Sequence, residues 1–165
     1  MKNLFLFLII ILNTSNVFAQ NNVYFLDIDY VLNNSNEGKN IIEELKKKNL
    51  ININNLKEKE QELKILETDI SKLKNIISEN EFQNKVNTLK KKLTEYRKQK
   101  DEISKEFIKL KDKKLTAFLK KISPFIQEYM NKNSISVLLD KKNIFIADSK
   151  YDITDTVIKI LNEQN

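Results

Sequence analysis

The sequence predicts a mostly α-helical α+β protein in which a long antiparallel helical hairpin is attached to a small β-containing body. From about Glu37 to Lys132, apolar residues recur at helical spacing, with one glycine at the start and one proline near the end. The flanking segments are short and β-prone. The composition, 41% hydrophobic and 32% charged, suits long helices better than a compact mixed domain.

Residues 1–19 have the layout of a secretory signal peptide. Lys2 supplies the positive charge, an apolar run extends from Leu4 to Leu12, and Val17 and Ala19 occupy the two positions that a signal peptidase reads. This run is too short to span a bilayer as a helix. We expect cleavage after Ala19 and export of a mature chain that begins at Gln20. A retained membrane anchor is the alternative.

The sequence holds no candidate catalytic, cofactor-binding or metal-binding site. It contains 0 cysteines and 0 histidines, which excludes the usual nucleophile and base pairs and most zinc or iron sites. With 1 glycine, it has neither a P-loop nor a dinucleotide-binding GxGxxG motif. We therefore predict a protein that is not an enzyme and has no cofactor.

The body begins after the leader, in residues 20–36. Val23 to Ile28 is predicted to be a buried strand, and Asp29 is expected to cap a short helical turn. Ser35 or Asn36 is expected to cap the first long helix. Gly38 in its opening turn would weaken that helix by about 1 kcal/mol relative to alanine, so its expected purpose is close packing at the root of the arm.

Residues 37–132 are predicted to form the arm. Two apolar runs with steps of three and four residues indicate two facing helices, and a polar break near residues 78–81 indicates the turn between them. A straight dimeric coiled coil without a hairpin is the alternative. In the hairpin, the numbers of facing residues sum to 159. The predicted pairs are Ile77 with Phe82, Leu73 with Val86, Ile70 with Leu89, Leu66 with Leu93, Leu63 with Tyr96, and Leu56 with Ile103.

Polar residues interrupt this predicted seam toward the root of the arm. Asn52 would face Phe107 and Lys59 would face Lys100, which should weaken packing and let the limbs bend. A compatible alternative is that the lysines lay their stems across the seam and extend their ammonium groups to water. Near the root, Ser123 is expected to cap a helix restarted at Pro124, giving a kink where arm meets body.

Residues 133–165 complete the body. Short apolar runs at 135–139 and 144–147, separated by a polar turn, predict a β-hairpin. Asp152, followed by Asp155, is expected to open a final amphipathic helix. Three short strands and one small helix bury too little apolar surface to support two long limbs, so we expect oligomerisation through the strands.

The two limbs differ in charge. From Phe82 to Lys132 there are 15 basic residues against 6 acidic ones, whereas Glu37 to Ser78 has 9 against 8. The basic limb would attract acidic unfolded chains and, weakly, anionic lipid. We do not expect nucleic acid as a partner, because the leader directs export and the aromatic residues lie on the seam. A solvated helix face is the alternative.

Both ends of the mature chain resemble the Skp/OmpH family of periplasmic chaperones. The residues that carry this resemblance are Val23 to Ile28, Val31 and Leu32, Ser35, Gly38 and Lys39, then Ser136 to Asp140, Asp152 to Ile158, and Leu161 and Asn162. The Asp-Ile-Thr segment before the last helix is the most specific of them. The resemblance implies a homotrimer with a small central barrel and three hairpin arms around a cavity, which holds unfolded outer-membrane proteins without ATP.

That resemblance predicts binding regions but no discrete site. Client-facing candidates are Phe82, Lys85, Lys90, Lys91, Lys92, Tyr96, Arg97 and Lys98, and assembly-core candidates are Phe25, Val137, Leu139 and Phe145. The competing hypothesis is a non-enzymatic coiled-coil spacer or adaptor of the cell envelope. A spacer should bind one folded partner or none, whereas a chaperone should bind many unfolded ones.

Overall fold

The computed structural model describes residues 22–163, and the predicted signal peptide lies outside them. It confirms the predicted fold class, with a long helical hairpin, a small sheet and a short C-terminal helix. The elements in order are β1 (Val23–Leu26), α1 (Ile28–Asn34), α2 (Asn36–Leu73), α3 (Glu79–Lys132), β2 (Val137–Asp140) and α4 (Thr154–Glu163), with 3-10 turns at Lys141–Asn143 and Ser149–Tyr151.

Side-chain caps set the start of each helix in the first half. The predicted cap Asp29 is wrong, because the carboxylate of Asp27 accepts the Tyr30 N–H at 2.8 Å and starts α1 two residues earlier. Ser35 caps α2 as predicted, accepting the Gly38 N–H at 3.2 Å. A side-chain oxygen satisfies a donor that the helix itself leaves unpaired, so the entry to the arm is fixed locally.

A capping box marks the far end of the arm. The Ser78 hydroxyl accepts the Glu81 N–H, and the Glu81 carboxylate accepts the Ser78 N–H, so that α3 begins at Glu79. The turn therefore occupies residues 74–78, and the polar residues 79–81 already belong to α3. With 38 residues in α2, the arm is about 57 Å long.

The two ends of the chain meet in one small sheet. β1 and β2 pair in parallel, from Val23 opposite Val137 to Leu26 opposite Asp140, and the whole arm is the connection between them. The predicted β-hairpin is wrong in its second strand. Asp140 accepts the Lys142 N–H and starts a 3-10 turn, after which 144–148 has no regular structure. No Asn-Gly pair is present to favour a tight hairpin.

The predicted restart of the helix at Pro124, with Ser123 as its cap, is also wrong, since α3 runs through both residues to Lys132. A kink at Pro124 stays a prediction. The Ser123 hydroxyl donates to the Leu119 carbonyl at 2.6 Å and does not cap a new helix. Pro124 removes one helical hydrogen bond. Apolar packing of α3 on both sides of it, by Ile122 and Ile126, holds the helix to the body.

The hydrophobic core lies where the root of the arm meets the sheet and α4. Its buried side chains come from every described helix and from β1, so the arm cannot be separated from the body without opening this core. They are Leu26, Val31, Ile41, Phe118, Ile122, Ile153, Val157 and Leu161.

Candidate functional site

The arm is held together along the predicted seam. Every apolar residue of the six predicted pairs is buried or half-buried, while most residues between them are exposed. Ile70 and Leu89, a predicted pair, are the most deeply buried, at 6% and 9% exposure. The burial of these side chains therefore confirms the predicted packing face of each helix.

Polar contacts between the limbs fix their register. Lys114 pairs with Glu44, and Lys121 pairs with Glu37 at 2.8 Å, so that partner numbers sum to 158. This is within one residue of the predicted 159. These are solvent-exposed ion pairs, which contribute about 1 kcal/mol or less each. They confirm the alignment but do not hold the arm together by themselves.

One predicted contact in the seam is wrong. Lys59 was expected to face Lys100, but the Lys59 ammonium donates to Gln99 Oε1 at 2.5 Å, and Lys100 is exposed. Gln99 is half-buried and takes the seam position. A neutral acceptor avoids placing two ammonium groups face to face, which explains the choice of residue. The seam is therefore polar at this level, as predicted, but the two limbs are joined there by a hydrogen bond and not by two facing lysines.

The Asp-Ile-Thr segment joins the C-terminal helix to β1. Ile153 is buried and its N–H donates to the Phe25 carbonyl at 2.9 Å. The Thr154 hydroxyl accepts the Asp27 N–H at 2.9 Å. Asp152 in turn accepts the Thr154 N–H at 2.9 Å and the Lys141 ammonium at 3.1 Å. Three consecutive residues thus close the body, which gives this segment its physical role.

Within this segment, the Asp152 carboxylate accepts hydrogen bonds from both Thr154 and Lys141. Burial by itself would raise its pKa, but hydrogen bonds from Thr154 and Lys141 outweigh this and hold the pKa of Asp152 below its ordinary value. The same hydrogen bond raises the pKa of Lys141. Asp152 therefore stabilises the body as a carboxylate.

The client-facing candidates fall into two groups. Phe82 and Tyr96 are half-buried in the seam, so most of each ring packs between the limbs. The six basic candidates are all exposed on α3. The aromatic and basic candidates therefore do not form one surface, and binding by any of them remains a prediction. The exposed basic residues are Lys85, Lys90, Lys91, Lys92, Arg97 and Lys98.

Three of the four assembly-core candidates, Phe25, Val137 and Leu139, lie on one face of the sheet. Phe25 is buried, whereas Val137 and Leu139 remain exposed in β2 and Phe145 is exposed completely, at 103%. Ile146, at 85% exposure, extends the same apolar segment. Beside it, Val23, Phe25, Leu139, Ile144, Ile146 and Tyr151 line an open groove. A role in assembly remains a prediction for these side chains.

Sequence reasoning missed a set of exposed aliphatic side chains on the two helices of the arm. They fall outside the repeat that defines the seam, and at least half of each remains accessible to solvent. In the sequence they can be recognised as apolar residues directly before or after a seam position, where a solvent-facing helix residue is usually polar. They are Leu50, Ile51, Ile53, Ile65 and Ile108.

Within residues 22–163, no group of three or more Asp and Glu side chains is arranged to hold a metal ion. Across the same residues, no helix is both long and apolar enough to cross a membrane.

Comparison with known proteins places the chain in a family. No curated protein matches its sequence. The crystal structure of an OmpH-like outer membrane chaperone from Caulobacter crescentus CB15 is similar, with a TM-score of 0.75 and 22% identity, and the similarity covers 87% of this chain and 85% of that one. This likeness shows a shared fold. Residues 22–161 match the family of OmpH-like outer membrane proteins. The chain therefore belongs to the OmpH-like outer membrane protein family.

Proposed function

We propose that this protein is an ATP-independent periplasmic holdase chaperone that binds unfolded outer-membrane proteins between helical arms and keeps them soluble until they are assembled. The family match over residues 22–161 carries the proposal. The similar Caulobacter structure, titled as an outer membrane chaperone, has the same fold. A holdase shifts the equilibrium of its client by binding the unfolded state, and this needs no catalytic group.

The arm suits this activity physically. It projects a surface of about 57 Å from a small body, and its second limb α3 is strongly basic. Long-range attraction would raise the rate at which acidic unfolded chains are captured. Many weak contacts along several arms would give retention without one tight site. Release then follows from competition by the membrane or assembly machinery, without nucleotide hydrolysis.

The cavity requires more than one chain, and we propose a homotrimer. A two-stranded sheet is marginally stable alone, and among the described residues β2 has β1 on one side and no strand on the other. Phe145 and Ile146 form an exposed apolar segment in the irregular stretch that follows β2. Contiguous exposed apolar surface of this kind marks an interaction site. Pairing between copies would cover these side chains and set three arms around one cavity.

Light scattering on the chain from Gln20, alone and with a urea-diluted outer-membrane β-barrel protein, tests this proposal. We expect a mass near that of three chains, and a client that stays soluble without nucleotide. A Phe145→Ser and Ile146→Ser variant should lose both properties while keeping its helix content. A dimer, or a trimer that leaves the client to aggregate, would support the coiled-coil spacer instead.

A further inference from the structure

Three of the exposed aliphatic side chains lie at the same level along the length of the arm. Leu50, Ile53 and Ile108 are 59%, 51% and 56% exposed. The contacts of Glu44 with Lys114 and of Lys59 with Gln99 bracket this level, and both have partner numbers that sum to 158. Leu50 and Ile108 share that sum. Leu50 and Ile53 are three residues apart and so lie on one face of α2.

The direction of this face follows from the seam. On each helix, a residue just before a seam position lies on one side and a residue just after it lies on the other, about 100° away. Glu62 and Glu95 each precede a seam residue, and they line one cleft together. Ile53 and Ile108 each follow one, Asn52 and Phe107 respectively. They therefore share the opposite side of the hairpin.

The two sides of the hairpin differ sharply in charge. We call the side that follows the seam residues the basic face, because between residues 44 and 111 of α2 and α3 it carries seven basic residues and two acids, Glu60 and Glu67. The mixed face, which precedes the seam residues, carries six basic residues and eight acids over the same range. The basic residues of the basic face are Lys46, Lys57, Lys64, Lys90, Arg97, Lys100 and Lys111. The acids of the mixed face are Glu44, Glu58, Glu62, Asp69, Glu81, Glu95, Glu102 and Glu106.

We propose that the basic face, centred on Leu50, Ile53 and Ile108, is the surface of the arm that holds the client, and that it selects unfolded segments rich in both apolar and acidic residues. The three aliphatic side chains offer contact to apolar groups of the client. Lys57 and Lys111 beside them offer partners to its carboxylates. Charge complementarity thus favours an acidic unfolded chain as the occupant. This inference rests on the proposed function and assigns it to one side of the arm.

The test compares matched substitutions on the two faces. Leu50, Ile53 and Ile108 are replaced together by Gln, which is polar and suits a helix. The control replaces Ile51 and Ile65, which are 53% and 56% exposed on the mixed face, in the same way. The probe is reduced, carboxymethylated α-lactalbumin, an acidic chain that stays unfolded. We expect roughly tenfold weaker binding for the basic-face variant and less than a twofold change for the control.

A charge reversal supplies the second arm of the test. Lys57→Glu with Lys111→Glu should weaken binding of the acidic probe and strengthen binding of reduced, carbamidomethylated lysozyme, which is unfolded and basic. Added salt should reduce both differences. A change of sign with the charge of the probe cannot come from a loss of folding.

The outcomes separate this inference from the function it rests on. If the basic-face Gln variant binds the probe as tightly as the unmodified chain, or the control weakens equally, the inference is overturned while the holdase stands. If the Gln variant changes the mass of the assembly, the face is a contact between copies and the inference also falls. If the unmodified chain holds no unfolded protein at all, both fail.

Discussion

Gly38 packs directly against the backbone of Leu32. A β-carbon at Gly38 would lie 1.9 Å from the Leu32 carbonyl oxygen, a distance that no side chain can occupy. Ser35, fully buried between them, caps α2 by accepting the Gly38 N–H. The short helix α1 and the root of the arm therefore form one tight corner. Glycine destabilises a helix because of its backbone entropy, but here only glycine lets the backbones of α1 and α2 come so close.

Gly38→Ala should destabilise the protein by about 3 kcal/mol, because the Leu32 carbonyl belongs to the backbone of α1 and cannot move aside without opening the core. Chemical denaturation followed by circular dichroism measures the change. Lys39→Ala, at the exposed neighbouring position, is the matched control and should leave stability nearly unchanged. Equal stability of the two variants would show that α1 moves away at little cost.

The spacing of apolar residues and the identity of the helix-capping residues account for what could be predicted from the sequence. Steps of three and four residues identified the seam from Leu56 to Ile103, because burying one stripe of each helix is the main source of stability in a hairpin. The Gln99 position was missed because a one-residue difference in register exchanges it with Lys100. The continuous helix at Pro124 was missed because packing of the helix on the body is not visible in its local sequence.

The candidate site could be predicted less well than the fold. Binding surfaces depend on which residues remain uncovered, and Leu50 or Ile108 looks like any core residue until the seam is fixed. The second predicted strand, 144–147, has the apolar composition of a strand but has no partner in the described chain. Composition indicates the tendency of a segment, whereas pairing requires a neighbour at the right edge.

Ser134, two residues after the end of α3, has a left-handed backbone conformation that favours glycine. Its φ is 54°, the Ile135 N–H donates to the Met130 carbonyl at 2.9 Å, and the Ser134 N–H donates to the Asn131 carbonyl at 3.4 Å. This is a Schellman ending. Ser134→Gly should raise the free energy of unfolding by up to about 1 kcal/mol by removing the β-carbon strain. Ser136→Gly, without a positive φ, should give no gain in thermal or chemical denaturation.

The hydrogen bond between Lys59 and Gln99 marks a polar level of the seam. Replacing both residues with Leu should extend the apolar stripe and stabilise the arm by about 1 kcal/mol. Spin-label distances across the two limbs should narrow at the same time, because the limbs separate less often. Lys100→Leu serves as the control, since Lys100 is exposed and should change neither quantity. If the control narrows the distances and the double variant does not, Lys100 is the seam residue in solution.

Asp152 makes the stability of the body depend on pH. Its pKa is lowered in the folded protein from an ordinary value of 3.8. A group with a lowered pKa contributes stability above its unfolded pKa and loses it as the pH falls through its folded pKa. Asp152→Asn keeps an acceptor for Thr154 but loses the charge that attracts Lys141.

We therefore expect the Asn variant to melt a few degrees lower than the unmodified protein at pH 7. The difference between the two should shrink as the pH falls below about 4, because protonation then removes the same charge from Asp152. Asp112→Asn, at an exposed position in the middle of α3, is the matched control for the loss of a carboxylate from the surface. Thermal melts from pH 7 to pH 2 measure all three proteins. A gap between Asp152→Asn and the unmodified protein that stays constant over this range would mean that the carboxylate acts only through its shape.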